Sequence, residues 1–209
     1  MMRIDSVASR PDRAGRHTVR FSDGSVLRLY PQTIQDFGIY GDKELSDEQM
    51  QALRAAAGAM SAKMRAVRIV AASAVSKRDL EQRLVQKGED PSHAQAAVSW
   101  MEEMDLLDDK KTAEQVVQRC ISRGYGPARA KQALYEKKIP REYWQEALAD
   151  YPDQSEAIGS YLRSKLTAQS DRNEVRKAID ALVRRGHSYY EIRHVLDDMS
   201  LEFDDFSEA

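Results

Sequence analysis

Three leucines limit what this chain can fold into. Leu84, Leu134 and Leu182 sit in one local pattern, with an apolar residue four positions before each (Leu80, Ala130, Ala178). Four positions after each comes a helix-end residue (Gly88, Lys138, Gly186), and fourteen after comes another apolar residue (Val98, Leu148, Leu196). The copies are spaced 50 and then 48 residues apart, so one supersecondary unit is repeated in tandem. A unit this small must stack or clasp to bury its apolar face.

Each copy reads as three short helices. In the second, "KKTAEQVVQRCISRG" forms a first helix with Ala113, Val116, Val117, Cys120 and Ile121 inward, "GPARAKQALYEKK" a second and "REYWQEALADY" a third. Gly124 is placed to end a helix in the left-handed conformation, and Pro127 suits a first turn because its missing amide would be unpaired there anyway. The Gly-Tyr-Gly-Pro joint is therefore a structural corner rather than a catalytic loop. Tyr125, between the glycines, is either a core plug or an exposed contact. Leu80, Leu84, Leu134, Leu182 and Leu196 are expected in the core. Ahead of the repeats, only "HTVRFSDGSVLRLY" reads as strand. Val19 and Phe21 alternate on one side of Asp23-Gly24, Val26, together with Leu27, continues on the other, and the Asp-Gly pair suits the positive φ angles of a tight hairpin turn. Ser46 is placed to cap the helix that follows.

Charge is distributed on the same period. Seven basic and two acidic residues lie in 63–87, none and seven in 88–109, nine and two in 110–141, so the net charge of −2 hides an alternation that continues to the C-terminus. The first two helices of each repeat are basic and the third acidic, which points to basic and acidic surfaces that face a partner, beyond ordinary solvation of helix faces.

Several function classes fall away. No run of about 18 apolar residues marks a membrane span, and the polar start lacks a signal's apolar middle, so a cytoplasmic protein is expected. The single Cys120 excludes a disulfide framework, and His17, His93, His187 and His194 show no metal-ligand spacing; His187 and His194 are expected on or near a helix surface rather than on a metal. Glu102/Glu103 and Asp108/Asp109 are adjacent in the chain and splay apart, unlike a convergent acid/base pair. With no phosphate-binding glycine loop or nucleophile signature either, neither enzyme activity nor a cofactor or metal is expected. A helix-turn-helix-like nucleic-acid-binding module is the alternative. The sequence pI near 6.1 and the acidic third helices weigh against it, so any direct DNA binding is expected to be weak and salt-sensitive.

The segments "SKRDLEQRLVQKG", "LLDDKKTAEQVVQRCISRGYGPARAKQAL" and "RRGHSYYEIRHVL" resemble the repeat signatures of the RecX family, bacterial regulators of the recombinase RecA. The hairpin followed by "YGDKELSDEQMQAL" is similar to the N-terminal region of part of that family. One departure is Lys138, which stands where the family often has Gly and would strain a left-handed helix end unless that loop differs. The resemblance implies a mainly α fold of three tandem three-helix repeats in an elongated arc, after a small β-hairpin-containing segment. It also implies a monomeric, non-enzymatic modulator that binds RecA filaments and lowers recombinase, ATPase and coprotease activities in DNA repair, recombination and the SOS response. The expected divisions are a flexible tail (1–15), a β-hairpin and helical segment (16–60), three repeats (61–107, 108–151, 152–200) and an acidic tail (201–209). Arg119 and Arg123 lie four apart on one helix face, with Arg129 just beyond the corner. They are the expected filament-contacting edge, joined by Lys131, Lys137, Lys138 and Tyr125.

Overall fold

A computed structural model describes residues 1–167 and 169–199; the expected acidic tail at 201–209 lies outside them. The described chain divides into two compact units, Met1–Leu107 and a second that begins at Asp108.

The first unit opens with a four-stranded antiparallel sheet in the order β3-β2-β1-β4, made by β1 (Met2–Val7), β2 (His17–Phe21), β3 (Val26–Leu29) and β4 (Glu44–Leu45). The first residues were expected as a flexible tail and instead supply β1. A bulge between Ile4 and Ser6 shifts the pairing, so the core-facing Met2, Ile4 and Val7 break the period of two that marks a strand in sequence. The hairpin after β2 also differs from expectation. Only Gly24 has positive φ (+81°), while its amide bonds the Phe21 carbonyl and the Phe21 amide bonds that of Ser25. That is a three-residue loop with glycine at the bulge position rather than a two-residue turn. As a result Val26 faces solvent, and Leu29 fills the core.

A short helix α1 (Pro31–Asp36) leads to α2 (Asp47–Ala72). The Ser46 cap is present and reciprocated by Gln49, leaving two orphan amides satisfied. α2 runs without a break across the expected boundary at 60/61. Its start packs Met50 and Leu53 against the sheet, and its end packs Ala62 and Ala66 against α3 (Lys77–Gln86) and α4 (Pro91–Glu103). One 26-residue helix thus serves both as the sheet's cover and as the first helix of repeat one.

In the second unit, α5 (Asp109–Ser122), α6 (Pro127–Glu136), a three-ten turn (Arg141–Tyr143) and α7 (Trp144–Leu148) make repeat two. Repeat three is α8 (Ser155–Lys165), α9 (Arg172–Arg184) and α10 (Tyr189–Asp198). All five leucines expected in the core are at most 2% exposed.

The recurrent helix end has one physical explanation. After Leu84, Leu134 and Leu182, the residue four on takes positive φ (Gly88 +89°, Lys138 +55°, Gly186 +90°). The next amide (Glu89, Ile139, His187) then bonds back to the anchor leucine's carbonyl at 3.1, 3.1 and 3.2 Å. This is the Schellman closure, which satisfies carbonyls that the helix leaves orphaned. Lys138 therefore keeps the left-handed geometry of its glycine counterparts, and the loop does not differ.

Candidate partner-binding clefts

Each of the first two repeats opens a basic cleft between its first and second helices. In repeat two, Asp108 caps α5 by accepting from the Lys110 and Lys111 amides at 2.9 and 3.1 Å. Those bonds, the one from Lys111 foremost, hold its carboxyl below the usual carboxylate range. Asp109 is buried in the first turn, and Glu102 pairs with Lys77, so these carboxylates have structural roles. At the far end of α5, the amides of Gly124 and Tyr125 close the helix onto Ile121 and Cys120, and Pro127 starts α6 after Gly126 as N-cap.

This corner brings Arg119 of α5 and Arg123 at its C-cap together with Arg129 of α6 and Lys137 at its C-cap around a cleft of about 170 Å³, with Val116, Cys120 and Ala133 on its apolar side. Arg119 and Arg123 are exposed, and among the described residues neither forms an ion pair. Arg129 is held by Glu136 at 3.1 Å. Tyr125 also lines the cleft, half-buried, and its carbonyl accepts from Tyr151 Oη at 2.7 Å. Both readings of Tyr125 thus hold in part: it anchors the corner and borders the cleft. Burial raises the Cys120 thiol pKa, against the pull of the three nearby arginines, so the cysteine stays a neutral apolar wall. Lys131 and Lys138 do not line this cleft.

Sequence reasoning missed the larger cleft, about 440 Å³, in the first unit. Arg65, Arg68, Ile69, Ala72 and Ser73 come from α2 and its end, Arg83 and Lys87 from α3 and its end, and Ala14 and Arg16 from the β1–β2 connection. Lys87 and Lys137 sit 50 residues apart and line equivalent walls. The surplus of positive charge in 63–87 was the available signal, but nothing local in the sequence brings Arg16 to it.

Two expectations need correction. His187 is 4% exposed rather than at a helix surface, because it follows the third Schellman glycine and places Nε2 3.0 Å from the Gly124 carbonyl. His194 is exposed and pairs with Asp198 at 3.1 Å. The charge alternation is also partly internal: Lys77 of α3 pairs with Glu102 of α4, and Lys110 of α5 with Glu146 of α7 at 2.6 Å. Among the described residues, no cluster of His, Cys, Asp or Glu is suited to a metal ion, and no helix is long and apolar enough to cross a membrane.

A small sheet followed by tandem three-helix repeats, with basic clefts between helices, defines a helical-repeat protein. The description "RecX, second three-helix domain" matches residues 108–148, the whole of repeat two apart from its exit. The regulatory protein RecX of Halorhodospira halophila is 30% identical over 143 residues, covering 66% of this chain and 88% of that protein. Its counterpart from Vibrio parahaemolyticus is 25% identical over 140 residues, covering 66% and 90%. A crystal structure of regulatory protein RecX shares the fold at a TM-score of 0.62 and 18% identity, covering 94% of this chain and 100% of that one. RecX from Lactobacillus salivarius does so at 0.59 and 22%, covering 70% and 99%. The chain belongs to the RecX family of regulatory proteins.

Proposed function

We propose that this chain binds RecA filaments and lowers their recombinase, ATPase and coprotease activities in DNA repair, recombination and the SOS response, acting as a cytoplasmic monomer without chemistry of its own. Membership of a regulatory family carries this reading. The repeat-two cleft supports a site for the contact, because it sets two cations without ion-pair partners beside apolar side chains, an arrangement that fits an acidic, partly apolar protein surface. The α5 edge is the contacting surface, with Arg119 and Arg123 central, Arg129, Lys137 and Tyr125 lining the same cleft, and Lys131 and Lys138 peripheral.

The test is DNA-dependent ATP hydrolysis by RecA, with and without the purified chain. The wild-type chain slows hydrolysis. The Arg119→Glu, Arg123→Glu double variant keeps its melting temperature, since exposed charges contribute little to folding. Arg129 is left in place because reversing it would set two carboxylates together at Glu136. Inhibition by the variant falls, chiefly through slower association at low salt. Undiminished inhibition across a range of salt would remove this edge from the contact, and a wild-type chain without effect on RecA would remove the reading itself.

A further inference from the structure

The cleft of the first unit is built with more care than a solvated basic face requires. Asp12 organises the β1–β2 connection. Its Oδ1 accepts from the Ala14 and Arg16 amides at 2.9 and 3.0 Å, and its Oδ2 accepts from the Arg16 guanidinium at 3.0 and 2.8 Å. These bonds, the Arg16 amide first, hold the Asp12 carboxyl down to about 2. The loop so fixed puts Arg16 on the rim of a cleft whose other walls are helices.

Five cations line the cleft and no carboxylate does. Three have partners behind them: Arg16 has Asp12, Arg83 has Asp79 at 2.8 Å, and Arg65 donates Nε to Glu89 at 2.6 Å. Glu89 is 9% exposed and also accepts from Ser61, so it pins the Arg65 stem. No hydrogen bond among the described residues engages the two Nη nitrogens of Arg65. Arg68 donates only to the Tyr30 hydroxyl, at 3.2 Å, and among the described residues neither Arg68 nor Lys87 has an ion-pair partner. With the three paired carboxylates counted, two positive charges remain for a ligand.

We propose that this cleft binds a phosphate group, either free or as the backbone of a single nucleic-acid strand. Guanidinium forks pair with phosphate oxygens two at a time, and an ammonium adds a point charge. Arg65 and Arg68, three apart on one face of α2, supply the forks, and Lys87 faces them from the end of α3. A free or terminal phosphate presents three or more oxygens to these cations where a carboxylate presents two, and a strand, whose diesters present two each, meets them with successive phosphates. The apolar floor of Ala14, Ile69 and Ala72 accommodates the sugar or base that a phosphate carries. The proposal does not depend on the RecA reading, whose contact lies in the other unit.

The test uses the full chain and two probes: a fluorescein-labelled short oligothymidylate followed by anisotropy, and inorganic phosphate followed by phosphorus NMR line width. The Arg68→Ala, Lys87→Ala double variant lowers strand affinity on the order of tenfold and flattens its log–log salt slope by about 1.4, the loss of two single-strand phosphate contacts. Arg78→Ala, an exposed cation on α3 that does not line the cleft, leaves both unchanged. Loss of phosphate broadening with strand binding intact also supports the site, with small phosphates as its ligands. The proposal falls if the double variant binds both probes like wild type, if Arg78→Ala weakens binding equally, or if polyglutamate displaces the probes equally well at equal charge. Lys87→Ala alone, at an exposed position, keeps the test decisive should the double variant melt early.

Discussion

Gly88 and Gly186 occupy the same position in the first and third repeats, at φ +89° and +90°, yet their surroundings are opposite. A Cβ on Gly88 would meet nothing within 4 Å, whereas one on Gly186 would lie 2.2 Å from the Arg129 backbone nitrogen. On the far side of that contact, a Cβ on Gly126 would lie 2.1 Å from the Gly186 carbonyl oxygen. The Gly126 amide bonds the Arg185 carbonyl at 2.9 Å, and the Ala128 amide bonds that of Gly186 at 3.2 Å. Glycine in repeat one is there for a backbone angle. In repeat three it also lets two backbones dock, so that the corner of repeat two and the helix end of repeat three share hydrogen bonds. One local rule ends both helices, and only one of the two ends became a joint.

The comparison breaks or holds on a pair of substitutions. Gly88→Ala carries only the cost of an L-residue in the left-handed region, about 1–2 kcal/mol. Gly186→Ala adds overpacking against backbone that cannot rotate away, about 1–3 kcal/mol more. Urea unfolding of the two variants reads the difference. Equal losses would mean that the joint yields freely and that its hydrogen bonds do not hold the repeats in register.

A pH titration sharpens the same joint. The Gly124 carbonyl can only accept, so Nε2 of His187 carries the proton, and Nδ1 is buried without a partner among the described residues. Burial is the main cause of a depressed pKa; the Gly124 bond and the Glu191 carboxylate oppose it, and Arg185 adds to it. Because the folded value lies below the unfolded 6.5, the unfolded chain takes up the proton first. Stability is therefore complete above about pH 6.5 and declines as the pH falls toward the folded value. Denaturant midpoints measured from about pH 7 to about pH 5, above the ordinary carboxylate range, should fall for the wild type and flatten for His187→Gln. An unchanged slope in that variant would place the titration elsewhere.

The parts of the fold legible in the sequence were those set by near neighbours. The anchor leucines, the Ser46 cap and the Gly124–Pro127 corner each depend on residues within about one helical turn, and each stands as expected. What escaped notice depends on distant partners. β1 was hidden by its bulge, the unbroken α2 by its double duty, and the buried state of His187 by a docking partner 63 residues away. The candidate sites divide the same way. That Arg119, Arg123 and Arg129 share one cleft was legible because one corner joins them, whereas the first-unit cleft needs Arg16 from a loop that only the folded sheet delivers.

The smallest expected effect tests the rule at its exception. Lys138 holds φ +55° where its counterparts are glycine, and the closure survives, with the Ile139 amide 3.1 Å from the Leu134 carbonyl. Ile139 is 4% exposed and packs in the repeat-two core with Leu134. The apolar contact that accompanies a Schellman end therefore holds the lysine in a conformation it would not choose. Lys138→Gly relieves about 1–2 kcal/mol of left-handed strain and returns about 0.4–1 kcal/mol through the freer unfolded chain. The expected net gain is about 0.5–1 kcal/mol, read as a higher urea midpoint at an unchanged m-value. Lys138→Asn, a residue that tolerates the same region, should recover part of that gain. If both variants lose stability instead, the contacts of the lysine side chain outweigh its backbone strain, and repeat two has substituted a side chain for the glycine that ends the other two.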